Sequence, residues 1–266
     1  MKYASVLQWD MEGEERWRDR YSRQLVLASI GEDGQRRLAG ATATVVGAGG
    51  LGSNSVDLLV RMGFGKVVVI DGDILELSNL HRIRIYGDED VGRHKVDILE
   101  QRLGHTIAGA DLETKRVGLV PDNAVDLLRG ADVVLDGLDN MESRYLVNDA
   151  CLDLGIPWVY GGVVSTGGMV APFPVGGPCF RCLFPDPPLP GALPTTETVG
   201  IHPALPAVVA AIQVAHASRI VIEGIDEPKL TAMDLWSDDL RVMSLEKRED
   251  CPACVQGSRG FLTGVR

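Results

Sequence analysis

The sequence predicts an α/β protein, and three observations carry the prediction. A small apolar run at residues 43–46 feeds directly into Gly47-Ala48-Gly49-Gly50-Leu51-Gly52. A second apolar run at 66–70 ends at Asp71, which follows Gly52 at about the spacing that separates glycine loop from acidic residue in a βαβ unit. Strand and helix patterns then alternate to about residue 170, the order that builds a parallel sheet with helices on both faces. The expected fold is therefore a Rossmann-like nucleotide-binding sheet, extended by C-terminal strands and a four-cysteine zinc site.

Taken in order, residues 12–38 are rich in charge and helix formers and read as one or two surface helices. Trp17, Tyr21, Leu25 and Val26 fall near one helical face. Composition gives Arg20-Tyr21-Ser22-Arg23-Gln24 no meaning beyond a solvated helix face. In the glycine stretch, Gly47, Gly49 and Gly52 fit the G-x-G-x-x-G spacing, where absent side chains let backbone N–H groups approach an anion at a helix start. The plain alternative is a tight turn with no ligand. A helix over 53–61 and a buried strand over 66–70 follow, and Asp71 stands where nucleotide folds hold a ribose hydroxyl.

The segment from Asp71 to Arg82 is polar, and Asp90-Val91-Gly92-Arg93-His94-Lys95 opens a helix through Leu103. Taken singly, Arg82 and Lys95 read as surface charge. Strands are expected over 112–117 and 131–136, the second leading into Gly137-Leu138-Asp139-Asn140. Because ligands bind beyond the carboxyl ends of strands in open α/β sheets, this brings Asp139 toward Gly50 and Asp71. A helix over 143–154 and a short strand over 157–160 complete the core. Residues 172–206, dense in Pro and Gly, read as loop. Pro206 then opens an apolar helix to about Ile222, either interface or core with interface favoured, and late strands fall at 234–236 and 240–245.

The whole chain, 1–266, reads as one domain: a helical segment over about 1–40, a nucleotide-binding core over about 41–170 and a zinc-stapled part over about 171–266. A hydrophobic content of 45% suffices for a core, and a net charge of −11 argues against a general nucleic-acid or anionic-membrane surface. Residues 1–20 lack the features of a signal peptide, and no later apolar run reads as a bilayer span, so the expected location is cytoplasmic.

Four of the five cysteines form two C-x-x-C pairs, Cys179/Cys182 and Cys251/Cys254. Four thiolates around one tetrahedral Zn²⁺ leave no open position for water, so the site is structural; an iron–sulfur cluster or a redox dithiol are the alternatives. The fifth, Cys151, shares a helical face with Leu146, Val147, Ala150 and Leu154 and reads as core.

Together these motifs resemble the MoeB/ThiF family of ubiquitin-activating-type adenylyltransferases, closest to its MoeB-like members. The match runs over Arg20–Gln24, the Gly47–Gly52 loop, Asp71 with Ser78-Asn79-Leu80-His81-Arg82, Val91–Lys95, Asp136–Asn140 and both cysteine pairs. The resemblance implies ATP-dependent adenylation of the C-terminal glycine carboxylate of a small ubiquitin-like sulfur carrier, and homodimers. It implies that Gly47, Gly49, Gly50, Gly52, Asp71, Ser78, Asn79 and Asn140 belong to the ATP site. Asn79, Arg82 and Lys95 would meet the phosphates, Asp139 would hold Mg²⁺, and Arg23 would reach the phosphates from the neighbouring subunit.

Two positions depart from the family pattern. Thr196 stands where members that form thioesters or persulfides carry a cysteine, so the reaction is expected to stop at the acyl-adenylate, with an external sulfur donor or amine completing transfer. Ile83 replaces the glutamine that usually follows the arginine. The carrier, ending in Gly-Gly, is expected to be a separate chain. Competing readings are adenylation of a small-molecule or peptide carboxylate, an NAD-dependent oxidoreductase, and a non-catalytic partner subunit.

Overall fold

The computed structural model describes residues 11–105, 111–189 and 191–264; residues 1–10 of the expected N-terminal helical segment lie outside that range. Its strands, in chain order, are β1 (Thr42–Val46), β2 (Lys66–Ile70), β3 (Asp111–Lys115), β4 (Val133–Asp136), β5 (Trp158–Val164), β6 (Gly167–Phe173), β7 (Lys229–Asp234) and β8 (Asp239–Ser244). They join in one sheet ordered β3-β2-β1-β4-β5-β6-β7-β8. β1 to β5 pair in parallel, with Val46 level with Ile70 and Asp136, and β5 to β8 pair antiparallel. The chain moves outward from β1 in both directions, so β1 and β4 flank the crevice where such sheets bind ligands.

Helices cover both faces. α1 (Met11–Arg20), α2 (Ser22–Leu25) and α3 (Gly31–Ala39) precede the sheet; α4 (Gly50–Met62) and α5 (Lys95–Leu103) connect β1 to β2 and β2 to β3. α6 (Pro121–Leu128) and α7 (Met141–Leu154) link β3, β4 and β5, and α8 (Phe180–Leu183), α9 (Thr196–Val199), α10 (Leu205–Ile222) and α11 (Gly260–Thr263) complete the order. One core joins Val45, Val69, Leu59, Leu99 and Val209 on the side of α4, α5 and α10. The other joins Val46, Ile70, Leu128, Tyr145, Trp158 and Phe180 on the side of α6 and α7. Strands buried on both faces explain the unbroken apolar runs in the sequence.

Several expectations change. α4 starts at Gly50, not Ser53, because Gly49 already serves as its N-cap. The expected surface helices anchor inward, since Trp17 and Tyr21 are buried. α6 had no counterpart in the sequence reading, and the expected 172–206 loop contains the end of β6 as well as α8 and α9. The strand expected at 234–236 is β7, ending at Asp234 and leaving Trp236 exposed in the following turn.

The apolar helix packs one face into the core and leaves the other, with Val208, Ala211, Ala215 and Arg219, exposed, so the buried face meets the core reading and the exposed face is the part on which the interface expectation rests. Leu205, Val209, Ala210, Val214 and Ala217 are buried against α4 and the sheet. Its length and composition are those of a bilayer-crossing segment. Its buried Gln213 nevertheless donates through Nε2 to the carbonyls of Asp136 (2.9 Å) and Val159 (3.2 Å), tying the helix to β4 and β5.

Candidate active site

The site is built at the carboxyl ends of β1, β2 and β4. β1 runs into the glycine turn, where Gly47 adopts φ +99°, a left-handed conformation costly for any other residue. A Cβ on Gly52 would clash with the Gly47 carbonyl oxygen, so these two glycines let the turn close on itself. Gly49, by contrast, faces open space, and no side chain caps α4. Its first N–H groups carry the positive end of the helix dipole and no side-chain cap, the arrangement that suits an anion.

Asp71 ends β2 and is buried. One carboxylate oxygen accepts from the Ala48 backbone N–H (2.6 Å) and the other from the Asp73 N–H (2.6 Å). Burial pushes its pKa up, with the two backbone donors and the Lys95 charge working against that shift. The carboxylate thus locks β2 to the glycine turn.

The segment after β2 turns through a 3-10 helix, Leu77–Arg82. Glu76 and Asn79 cap this turn reciprocally, and the Ser78 hydroxyl donates to Glu76 (3.2 Å). Ser78 and Asn79 are thereby occupied in shaping the turn that delivers Arg82. The Arg82 side chain lies against Gly50, where a Cβ would meet its Cγ at 3.3 Å. Its Nη1 donates to the Ser78 carbonyl (2.9 Å) and lies 3.0 Å from His81 Nε2. Burial holds the guanidinium below its ordinary pKa, opposed by the charge of Asp139. Ile83 is buried in the core, so the residue replacing the expected glutamine packs and does not face the site.

Lys95 opens α5, with its side chain only 10% exposed and Nζ 2.9 Å from Asp73. Tyr86 braces the pocket from beneath, donating to the carbonyls of Ala48 (2.9 Å) and Lys95 (3.3 Å). From β4, Asp139 and Asn140 emerge exposed. Asn140 caps α7 by accepting from the Ser143 N–H (2.9 Å). Beneath them Asp136 pairs with buried Arg144 (2.8 Å), whose Nη2 also donates to the Leu138 and Gly161 carbonyls.

The expected residues therefore converge, with one exception. Arg23 is exposed on α2, whose neighbour Gln24 donates to the Met62 carbonyl (3.1 Å) at the far end of α4 from the glycine turn. Sequence reasoning missed Asp73, Tyr86 and the Asp136–Arg144 pair. Asp73 left a local signal, as the second acid of Asp71-Gly72-Asp73, and Asp136 opens the matched Asp136–Asn140 run, but its pairing with Arg144 left none.

The four cysteines of the two C-x-x-C pairs also converge. Their sulfurs all lie within 4.8 Å of one another, with Cys179–Cys251 at 3.6 Å and Cys182–Cys254 at 3.5 Å. A tetrahedral Zn²⁺ at about 2.3 Å from each sulfur sets edges of about 3.8 Å, so the donor set fits. Cys151, 1% exposed, is core as expected, and burial raises its thiol pKa far above the ordinary value. Among the described residues, no accessible cysteine lies outside the cluster.

A protein-family model described as the ThiF family matches residues 21–253, spanning the glycine turn, Arg23, Arg82, Lys95, Asp139 and most of the cysteine cluster. The chain belongs to the ThiF family. It is 41% identical over 245 residues to the sulfur carrier protein adenylyltransferase of Thermus thermophilus, covering 89% of this chain and 90% of that protein. To the sulfur carrier protein ThiS adenylyltransferase of Bacillus subtilis it is 37% identical, covering 91% and 72%. The crystal structure of E. coli MccB with ATP superimposes with a TM-score of 0.75 at 18% identity, over 94% of this chain and 82% of that one. As a ThiF-family member the chain is an adenylyltransferase, which removes the oxidoreductase reading.

Proposed function

We propose that this enzyme uses ATP to adenylate the C-terminal glycine carboxylate of a small ubiquitin-like sulfur carrier ending in Gly-Gly. The observation that carries the reading is the likeness, over about nine tenths of both chains, to a relative named for that class of substrate. The reaction needs no general base, because a C-terminal carboxylate, with an ordinary pKa of about 3.5, is already anionic at neutral pH. Its oxygen forms a bond to the α-phosphorus while the bond to the β-phosphate oxygen breaks, and pyrophosphate leaves with that electron pair.

The obstacle is bringing one anion to another, and the site residues answer it. In this reading the α4 N–H groups, Arg82 and Lys95 face the triphosphate, and Asp71 faces the ribose. Asp139 presents an exposed carboxylate of the kind that holds Mg²⁺ beside substrate phosphates, where the ion would neutralise phosphate charge. Ser78, Asn79 and Asn140 act by shaping the turns around these groups. Arg23 serves the site of a second copy in a homodimer. α4 spans 13 residues, about 20 Å, between Arg23's neighbourhood and the glycine turn, too far for the Arg23 side chain to reach its own chain's site. The carrier's activated glycine is passed to an external sulfur donor or amine in the cytoplasm, where reducing conditions keep the four zinc-site thiols available.

The test is ATP–pyrophosphate exchange. Exchange that appears only when a Gly-Gly-ending carrier is added supports the proposal; exchange with a metabolite or short peptide and none with any carrier replaces it with the small-carboxylate reading.

A further inference from the structure

Lys95 carries its charge in a poor place for one. Its side chain is 10% exposed, and a charge on a side chain so largely buried calls for a partner. The partner is Asp73, whose carboxylate lies 2.9 Å from Nζ. The two members of this pair are unequally solvated, because the Asp73 side chain is 71% exposed. Asp73 can therefore lose the lysine and remain hydrated, whereas the largely buried Lys95 favours an incoming anion in its place.

The backbone holds this arrangement in register. Asp73 donates its N–H to Asp71 (2.6 Å) and accepts the Lys95 N–H at its carbonyl (3.1 Å). Ile74 bridges His94, Leu75 donates to the Arg93 carbonyl (2.8 Å), and Gly92 donates back to Leu75 (2.9 Å). The segment leaving Asp71 is thus stitched to the entry of α5, and the Asp73 carboxylate stays beside the ammonium.

We propose that Asp73 is a positioning residue that acts as a placeholder anion: it neutralises Lys95 until the β- and γ-phosphates of ATP displace it, and competes again when pyrophosphate leaves. The inference rests on the ATP-dependent reading above. It separates the phosphate tail from the rest of the nucleotide, because only ligands bearing β- and γ-phosphates compete with Asp73. In Asp73→Asn the competitor's charge is gone, while Asp71 remains near Lys95 as an anionic neighbour.

Calorimetric titration of the full-length chain with ATP and with AMP tests this. In Asp73→Asn, ATP binding is expected to tighten by between about twofold and fivefold, the range of a partly exposed ion pair, with AMP affinity unchanged. Asp73→Ser, with a smaller uncharged side chain, is expected to move ATP affinity in the same direction. ATP affinity that stays constant or weakens in both variants overturns the proposal, as does an equal shift for ATP and AMP, which marks a merely structural role. Wild type that binds no ATP refutes instead the reading on which the inference rests.

Discussion

At the scale of single residues, Asp71 carries an electrostatic cost with a measurable pH signature. Burial raises its pKa, so the folded protein keeps this proton to higher pH than the unfolded chain. Its contribution to stability is complete below the unfolded value, about 3.9, and is lost as pH rises through the folded value. Asp71→Asn lacks this titration. Urea denaturation of both proteins is expected to show wild type losing ground to the variant as pH rises from about 4; a gap that is constant with pH contradicts the assignment. The importance of Asp71 was legible from its spacing to the glycines. Its hydrogen bonds to Ala48 and Asp73 were not, because they depend on how β2 meets the turn.

At the scale of elements, α7 joins the two halves of the molecule. Its N-cap Asn140 adjoins Asp139, and its buried Arg144 pairs with Asp136 and reaches the Leu138 and Gly161 carbonyls. Further along, Asn148 accepts from the Phe180 N–H (2.9 Å) and Asp149 from the Phe261 N–H (3.1 Å), fixing the chain beside each cysteine pair. Removing Arg144 strands a fully buried carboxylate. Arg144→Ala is therefore expected to cost about 3 to 5 kcal/mol in chemical denaturation; a loss within about 1 kcal/mol, roughly that of a surface pair, contradicts this. The apolar and helical spacing of α7 was readable in the sequence, but polar ties such as those from Arg144 to Asp136 and from Phe261 to Asp149 join residues 8 and 112 positions apart. β6 escaped notice for a related reason. Its Gly168 lies where a Cβ would press on Val209, and Pro172 sits opposite Val159, so close packing replaced the usual β-branched pattern.

At the scale of the whole molecule, the cysteine cluster brings together segments 72 residues apart. Structural zinc can supply on the order of 10 kcal/mol of folding free energy. Chelation is expected to lower the melting temperature and to expose the Phe180 and Phe261 amides to hydrogen exchange, while β1 to β4 stay protected. Unchanged melting and exchange after metal removal would show that the cluster staples nothing. The paired C-x-x-C spacing made this site readable in advance, whereas the role of α10 was not, since apolar composition alone does not distinguish a core helix from an interface. With Cys151 buried and the other four cysteines gathered in the cluster, no thiol is left to accept the activated glycine. Mass spectrometry of a Gly-Gly-ending carrier incubated with enzyme and ATP tests the adenylation chemistry at its source. An adenylyl group on the carrier's terminal glycine and an unmodified enzyme are expected; a thioester between enzyme and carrier, or a carrier left unadenylated, would contradict that chemistry.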